Sequence, residues 1–106
     1  MNTKLIRSHD ALMKGFAVAE MVTASLEHPP TSVTVSNLGP ITVDLHFHRM
    51  PEHVIAAAAQ YGVDPVEIRD FAGSKGAVET EALIEHDGVA VRCWSLTPAT
   101  AEEVAA

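Results

Sequence analysis

"VDPVEIRDFAG", from Val63 to Gly73, can be read two ways, and the fold turns on the choice. Val66 and Ile68 alternate with Glu67 and Arg69, which is the period-two pattern of a strand. Asp64 followed by Pro65 equally suits a helix cap and first turn. The alternation leads us to expect a strand from Asp64 to Ala72, and the neighbouring segments agree with that expectation.

Downstream, "VETEALIEHDGVAVRCWSL" (Val78–Leu96) is two strands joined by Asp87-Gly88, the residue pair of a two-residue type I′ turn. That turn sets Ile84 opposite Val91, Ala82 opposite Cys93 and Leu83 opposite Arg92. Val78, Thr80, Ala82, Ile84, Val89, Val91 and Cys93 then share one face. Glu79, Glu81, Leu83, Glu85, Arg92, Trp94 and Leu96 share the other. Arg92 is expected to pair diagonally with Glu81 and Glu85. "AGSKG" (Ala72–Gly76) reads as a hairpin loop, since it lacks both the spacing and the following helix of a phosphate-binding loop.

Upstream, "PEHVIAAAAQYG" is a helix with Pro51 at its first position, Glu52 near its positive end and Gly62 as its stop. Val54, Ile55, Ala58 and Tyr61 form its expected buried stripe. Before it, Val33 and Val35 alternate with Thr34 and Ser36, and Ile41, Val43, Leu45 and Phe47 alternate with Thr42, Asp44, His46 and His48. The intervening "NLGP" makes these a hairpin. Lys4 to Glu27 reads as a first helix ended by Pro29 and Pro30, with Leu5, Leu12, Phe16, Ala19 and Leu26 on one face and Met13, Ala17 and Val22 widening it.

The result is an α+β domain over residues 1–97: an N-terminal helix, then ββαβββ, a mainly antiparallel sheet with a helix packed on one face. Residues 98–106 are expected to be a flexible tail. The expected core is Val33, Val35, Ile41, Val43, Leu45, Phe47, Val54, Ile55, Ala58, Val66, Ile68, Ala82, Ile84, Val89, Val91 and Cys93.

Bulk properties narrow the function classes. The chain has 106 residues, enough for one core, and 47% of them are hydrophobic. Asp and Glu outnumber Lys and Arg 14 to 7, a formal charge of -7 that disfavours binding to phosphate backbones. The first ten residues are polar, no signal-peptide pattern follows, and no apolar run is long enough to span a bilayer, so a cytoplasmic protein away from membranes is expected. Cys93 is the only cysteine, so neither an internal disulfide nor a zinc site built on several cysteines is available.

"VDLHFHRMPEH" (Val43–His53) places three histidines and two acids in eleven residues. Asp44, His46 and His48 share a strand face, and His46 with His48 could ligate zinc, iron or copper if His53 supplied a third imidazole; His86 or Glu85 could also approach. A solvated strand face rich in histidine gives the same pattern without any metal. No catalytic set is spaced for chemistry: Cys93 falls on the core face, Ser95 has no triad spacing, and no cofactor motif is present. The row of Glu79, Glu81 and Glu85 is read as a solvated face, or less simply as a surface imitating DNA phosphates. Leu83, Trp94 and Leu96 are the exception on that face. A tryptophan among aliphatics there marks either a second packing layer, covered by the N-terminal helix, or an interface.

Two resemblances bear on this reading. Ala58–Phe71 resembles a helix-turn-helix, with Gly62 in the turn, Ile68 and Phe71 on the second helix and Val78–Leu96 as a wing. The likeness to winged helix-turn-helix proteins implies a DNA-binding regulator, although the implied recognition helix would expose Asp64, Glu67 and Asp70 against Arg69 alone. "YGVDPVEIRDF" joined to "HDGVAVRCWSL" resembles small uncharacterised α+β proteins of actinobacteria and their phages, over Val33 to Thr97. That resemblance implies a strand at Val66–Phe71 and carries no functional residues. The function expected from the sequence is that of a non-enzymatic interaction protein, a homodimer acting through an unknown protein partner, with Leu83, Trp94 and Leu96 at the interface.

Overall fold

The computed structural model describes residues 3–69 and 76–100, the first six of these as backbone only. In chain order the elements are α1 (Thr3–Ser25), β1 (Ser32–Ser36), β2 (Thr42–His46), α2 (Pro51–Tyr61), β3 (Val66–Ile68), β4 (Ala77–His86) and β5 (Val89–Pro98). This is the expected helix followed by ββαβββ. The strands form one sheet in the order β1-β2-β5-β4-β3. All neighbours are antiparallel except β2 and β5. The parallel pair follows from the path of the chain: α2 carries it from β2 to the far edge, and two antiparallel steps bring it back beside β2.

The β4–β5 hairpin has the expected register, with Ile84 opposite Val91, Ala82 opposite Cys93 and Leu83 opposite Arg92. Asp87 and Gly88 both have positive φ (51° and 77°), the requirement of a type I′ turn. β5 continues through Pro98, and the Ala99 N–H donates to Gly76 O, so the start of the expected tail is tied to the sheet. Residues 101–106 and the segment 70–75, which includes most of the "AGSKG" loop, lie outside the described residues.

Both helices lie on one face. α2 packs on β4 and β5, and α1 packs on β1, β2 and β5. The core between the layers includes Val18, Val22, Val43, Leu45, Phe47, Val54, Ala58, Ala82, Ile84, Val91 and Cys93. α1 therefore does not form a layer over Trp94, and no described element covers the opposite face of the sheet. Among the described residues, no helix is long and apolar enough to cross a membrane.

Ala19, Val22 and Leu26 reach the core as expected, but the rest of the α1 stripe shifts from Phe16 and Met13 to Gly15 and Val18. Gly15, Val18, Ala19 and Val22 face the sheet, with Leu26 packed against the same core, while Phe16 is 51% exposed and Met13 is exposed as well. The reason is the closeness of the helix to the sheet. A Cβ on Gly15 would stand 2.5 Å from Ile41 Cγ2 and 2.9 Å from Val35 Cγ1, so the contact line admits only small or β-branched residues. α2 begins at Pro51 and ends at Gly62 (φ 69°), as its sequence indicates, and the Val63 N–H donates to Ala58 O. Its buried residues are Val54, Ala57 and Ala58; Ile55 is exposed, because the alanines take the contact line.

β3 requires two further corrections. Val66–Ile68 is a strand, so the helix-turn-helix layout over Ala58–Phe71 loses its recognition helix, and Val78–Leu96 is the middle of the sheet, not a wing. The strand also faces the other way from the one expected. Val66 pairs with Glu81 and Ile68 with Glu79, and directly opposed antiparallel residues share a face. Val66 (57% exposed) and Ile68 thus lie with the glutamates on the uncovered face and not in the core. Val33 does point toward the helices beside Leu45, but on an edge strand it stays largely exposed.

Candidate functional site

The uncovered face is where the sequence and the fold leave chemistry unaccounted for. Its central side chain is Arg92. Burial by itself disfavours the cation, but Glu81, Glu79 and Asp44 more than offset this and raise the guanidinium pKa above its ordinary value. Arg92 Nε donates to Glu81 Oε2 at 2.6 Å, Nη2 to Glu79 Oε1 at 2.6 Å, and Nη1 to Asp44 Oδ1 at 3.4 Å. Asp44 is placed there by the parallel register, which sets it opposite Arg92. The expected partner Glu85 is replaced by Glu79. The guanidinium lies over the Trp94 ring, 4.7 Å from its centroid, so the side chain runs along β5 in the direction away from Glu85.

Around this ion network lie the apolar side chains. Leu83 is 63% exposed, Leu96 is exposed, and Trp94 is half-buried between Arg92 and His46. With Val66 and Ile68 from β3 they give the face five apolar residues. The three from β4 and β5 were legible in the hairpin alternation. The two from β3 were not, because the facing of a three-residue edge strand depends on its register with β4.

The histidine-rich stretch is split. The His46 ring lies on Trp94, with centroids 4.3 Å apart, and His48 approaches His46 edge-on at 6.1 Å. His53 belongs to α2 and stacks on His28 at 4.0 Å, with Phe47 at its edge. The third imidazole of the expected metal set is thus engaged elsewhere, and His86 stands beside Tyr61. Among the described residues no group of three His, Cys, Asp or Glu side chains is placed to hold a metal ion.

The segment after β2 is held from several sides. The Phe47 N–H donates to Trp94 O, the His48 N–H to Thr31 Oγ1, and the Met50 N–H to the buried Ser95 Oγ. Between them Arg49 adopts φ 52°, in the left-handed region. His46, His48 and Arg49 then line a cleft of about 440 Å³ together with Trp94, Leu96 and Pro98. The Trp94 Nε1–H is buried and has no acceptor among the described residues.

Cys93 and Ser95 are on the helix-covered face. Desolvation pushes the Cys93 thiol up to about 11, so it is a protonated core residue at neutral pH and no nucleophile. No protein-family model, no curated protein and no solved structure matches this chain.

Proposed function

We propose that the protein is a non-enzymatic interaction protein that works as a homodimer through the uncovered face of its sheet. One observation carries this reading: Val66, Ile68, Leu83, Trp94 and Leu96 lie on a single face over which no described element packs. An antiparallel sheet exposed to water on one side is expected to be polar there, and an apolar group of this kind marks an interaction surface.

Arg92 ties Glu79, Glu81 and Asp44 into one network within the chain, but three carboxylates against one guanidinium leave this part of the face net negative. Two-fold symmetry is the commonest way for a chain to bury a patch against itself. A cytoplasmic setting fits a chain whose one cysteine is a buried thiol.

Sedimentation equilibrium of wild type, Leu83→Asp and Ile55→Asp tests the proposal. Ile55 is a comparably exposed aliphatic on the helix side. The expected result is a dimer for wild type and Ile55→Asp and a folded monomer for Leu83→Asp. A monomeric wild type across the concentration range, or dissociation by Ile55→Asp alone, would refute it.

A further inference from the structure

We infer that the cleft beside Trp94 is a binding site for a small organic oxyanion, a carboxylate or phosphate group carried on a flat apolar body. The first observation is its charge. Among the described residues its lining includes His46, His48 and Arg49 and no acidic side chain, in a chain with twice as many acids as bases. Arg49 is moreover the exception among the described cations. Lys14 pairs with Asp87, Arg69 with Glu67, and Arg92 with three carboxylates, but Arg49 has no acidic partner among the described residues.

The backbone supplies the second observation. Arg49 sits at φ 52°, a conformation natural to glycine and uncommon for a long side chain. The hydrogen bonds of His48 and Met50 on either side fix it there. Residues held in such a conformation gather at ligand sites, where the surrounding structure imposes the strain.

Together these specify the ligand. The guanidinium and the two imidazoles supply charge-assisted or neutral N–H donors suited to an oxyanion. Trp94, Leu96 and Pro98 supply the apolar wall for the body that carries it, and the volume is that of a small-molecule site. The cleft lies at the end of the sheet where β2 and β5 finish and β4 begins; it shares Trp94 and Leu96 with the proposed interface but not Val66, Ile68 or Leu83, and the inference does not require the dimer.

The experiment uses the single tryptophan as reporter, since its indole N–H gives one unambiguous cross-peak in a ¹H–¹⁵N spectrum. Phenylacetate and phenyl phosphate are titrated beside inorganic phosphate and benzyl alcohol, which carry the charge and the ring separately. We expect saturable shifts with at least one aryl oxyanion, about tenfold tighter or more than with either fragment; the stronger of the two identifies the preferred oxyanion. Arg49→Gly should weaken binding by about tenfold or more while the melting temperature holds or rises, because glycine accepts the left-handed backbone without strain. Leu83→Asp should bind at least as tightly as wild type, since it frees Trp94 and Leu96 from the proposed interface. No saturable shift with either aryl oxyanion, or wild-type binding by Arg49→Gly, would overturn the assignment. Binding lost only in Leu83→Asp would do the same by moving the site to the dimer interface.

Discussion

β4 and β5 send alternate residues to opposite faces of the sheet, and the two faces meet different fates. Inward go Ala82, Ile84, Val91 and Cys93, which two helices bury. Outward go Leu83, Trp94 and Leu96, interleaved with Glu79, Glu81 and Arg92, and no described element covers them. Both faces are apolar in part, so hydrophobicity alone does not distinguish core from interface. What separates them is company. On β4 and β5 the inward side chains include no Asp, Glu, Lys or Arg, whereas the outward ones include Glu79, Glu81, Glu85 and Arg92, and such charges suit a surface that must exist in water before it is covered.

If the inner face is the folding core, truncation there should have the largest effect. Leu45→Ala should cost ~2–5 kcal/mol in urea unfolding, because Leu45 is fully buried and leaves a cavity. Leu83→Ala should change monomer stability by less than about 0.5 kcal/mol. Equal losses at the two sites would erase the distinction. The close seat of α1 is tested next by Gly15→Ala. Alanine favours a helix over glycine by ~1 kcal/mol, but its Cβ would collide with Ile41 and Val35, an overpacking that costs ~1–3 kcal/mol. A net loss of about 1 kcal/mol is expected, and a gain would mean that α1 lies further from the sheet.

The dryness of the inner face has a pH signature. The unfolded Cys93 thiol ionises near 9.0 while burial holds the native one protonated to about 11. Stability is therefore fully present below pH 9.0 and is lost as pH rises through about 11. Denaturant midpoints of wild type and Cys93→Ala should keep a constant difference up to that window, after which wild type alone loses this contribution. A smaller effect belongs to the outer face. Arg92→Leu leaves Glu79, Glu81 and Asp44 facing one another at partly exposed positions, so the cost should be only about 1 kcal/mol and should shrink in high salt. A salt-independent loss would assign Arg92 a packing role over Trp94 instead.

The sequence made the central hairpin legible because one Asp-Gly turn fixes the register of twenty residues, and with it both faces. Pro51 and Gly62 marked α2 because each has a local backbone reason to be there. What stayed hidden depends on tertiary contact. Nothing local says that α1 rests on Gly15 and turns Phe16 outward, and Val66 and Ile68 alternate identically whichever way the edge strand faces. The candidate site was half legible: Trp94, Leu83 and Leu96 stood out as apolar residues in a polar row. Arg49 carried no signal, since its left-handed backbone conformation and its place in the cleft exist only in the folded chain. The histidine stretch suggested one cluster, but the change from strand to helix between His48 and His53 sends the imidazoles apart.

The proposed dimer can be measured through the contrast between the faces. Because the buried Cys93 thiol is held protonated, a spin label can be placed selectively on Leu83→Cys or, as a control, on the exposed Phe16→Cys of α1. Packed sheets stand ~10 Å apart, so pulsed dipolar spectroscopy on Leu83→Cys should give a short, well-defined distance between copies that vanishes on dilution. Phe16→Cys, on the far side of each chain, should give a much longer one. A short distance from Phe16→Cys, or no dipolar signal from Leu83→Cys at any concentration, would contradict association through the uncovered face.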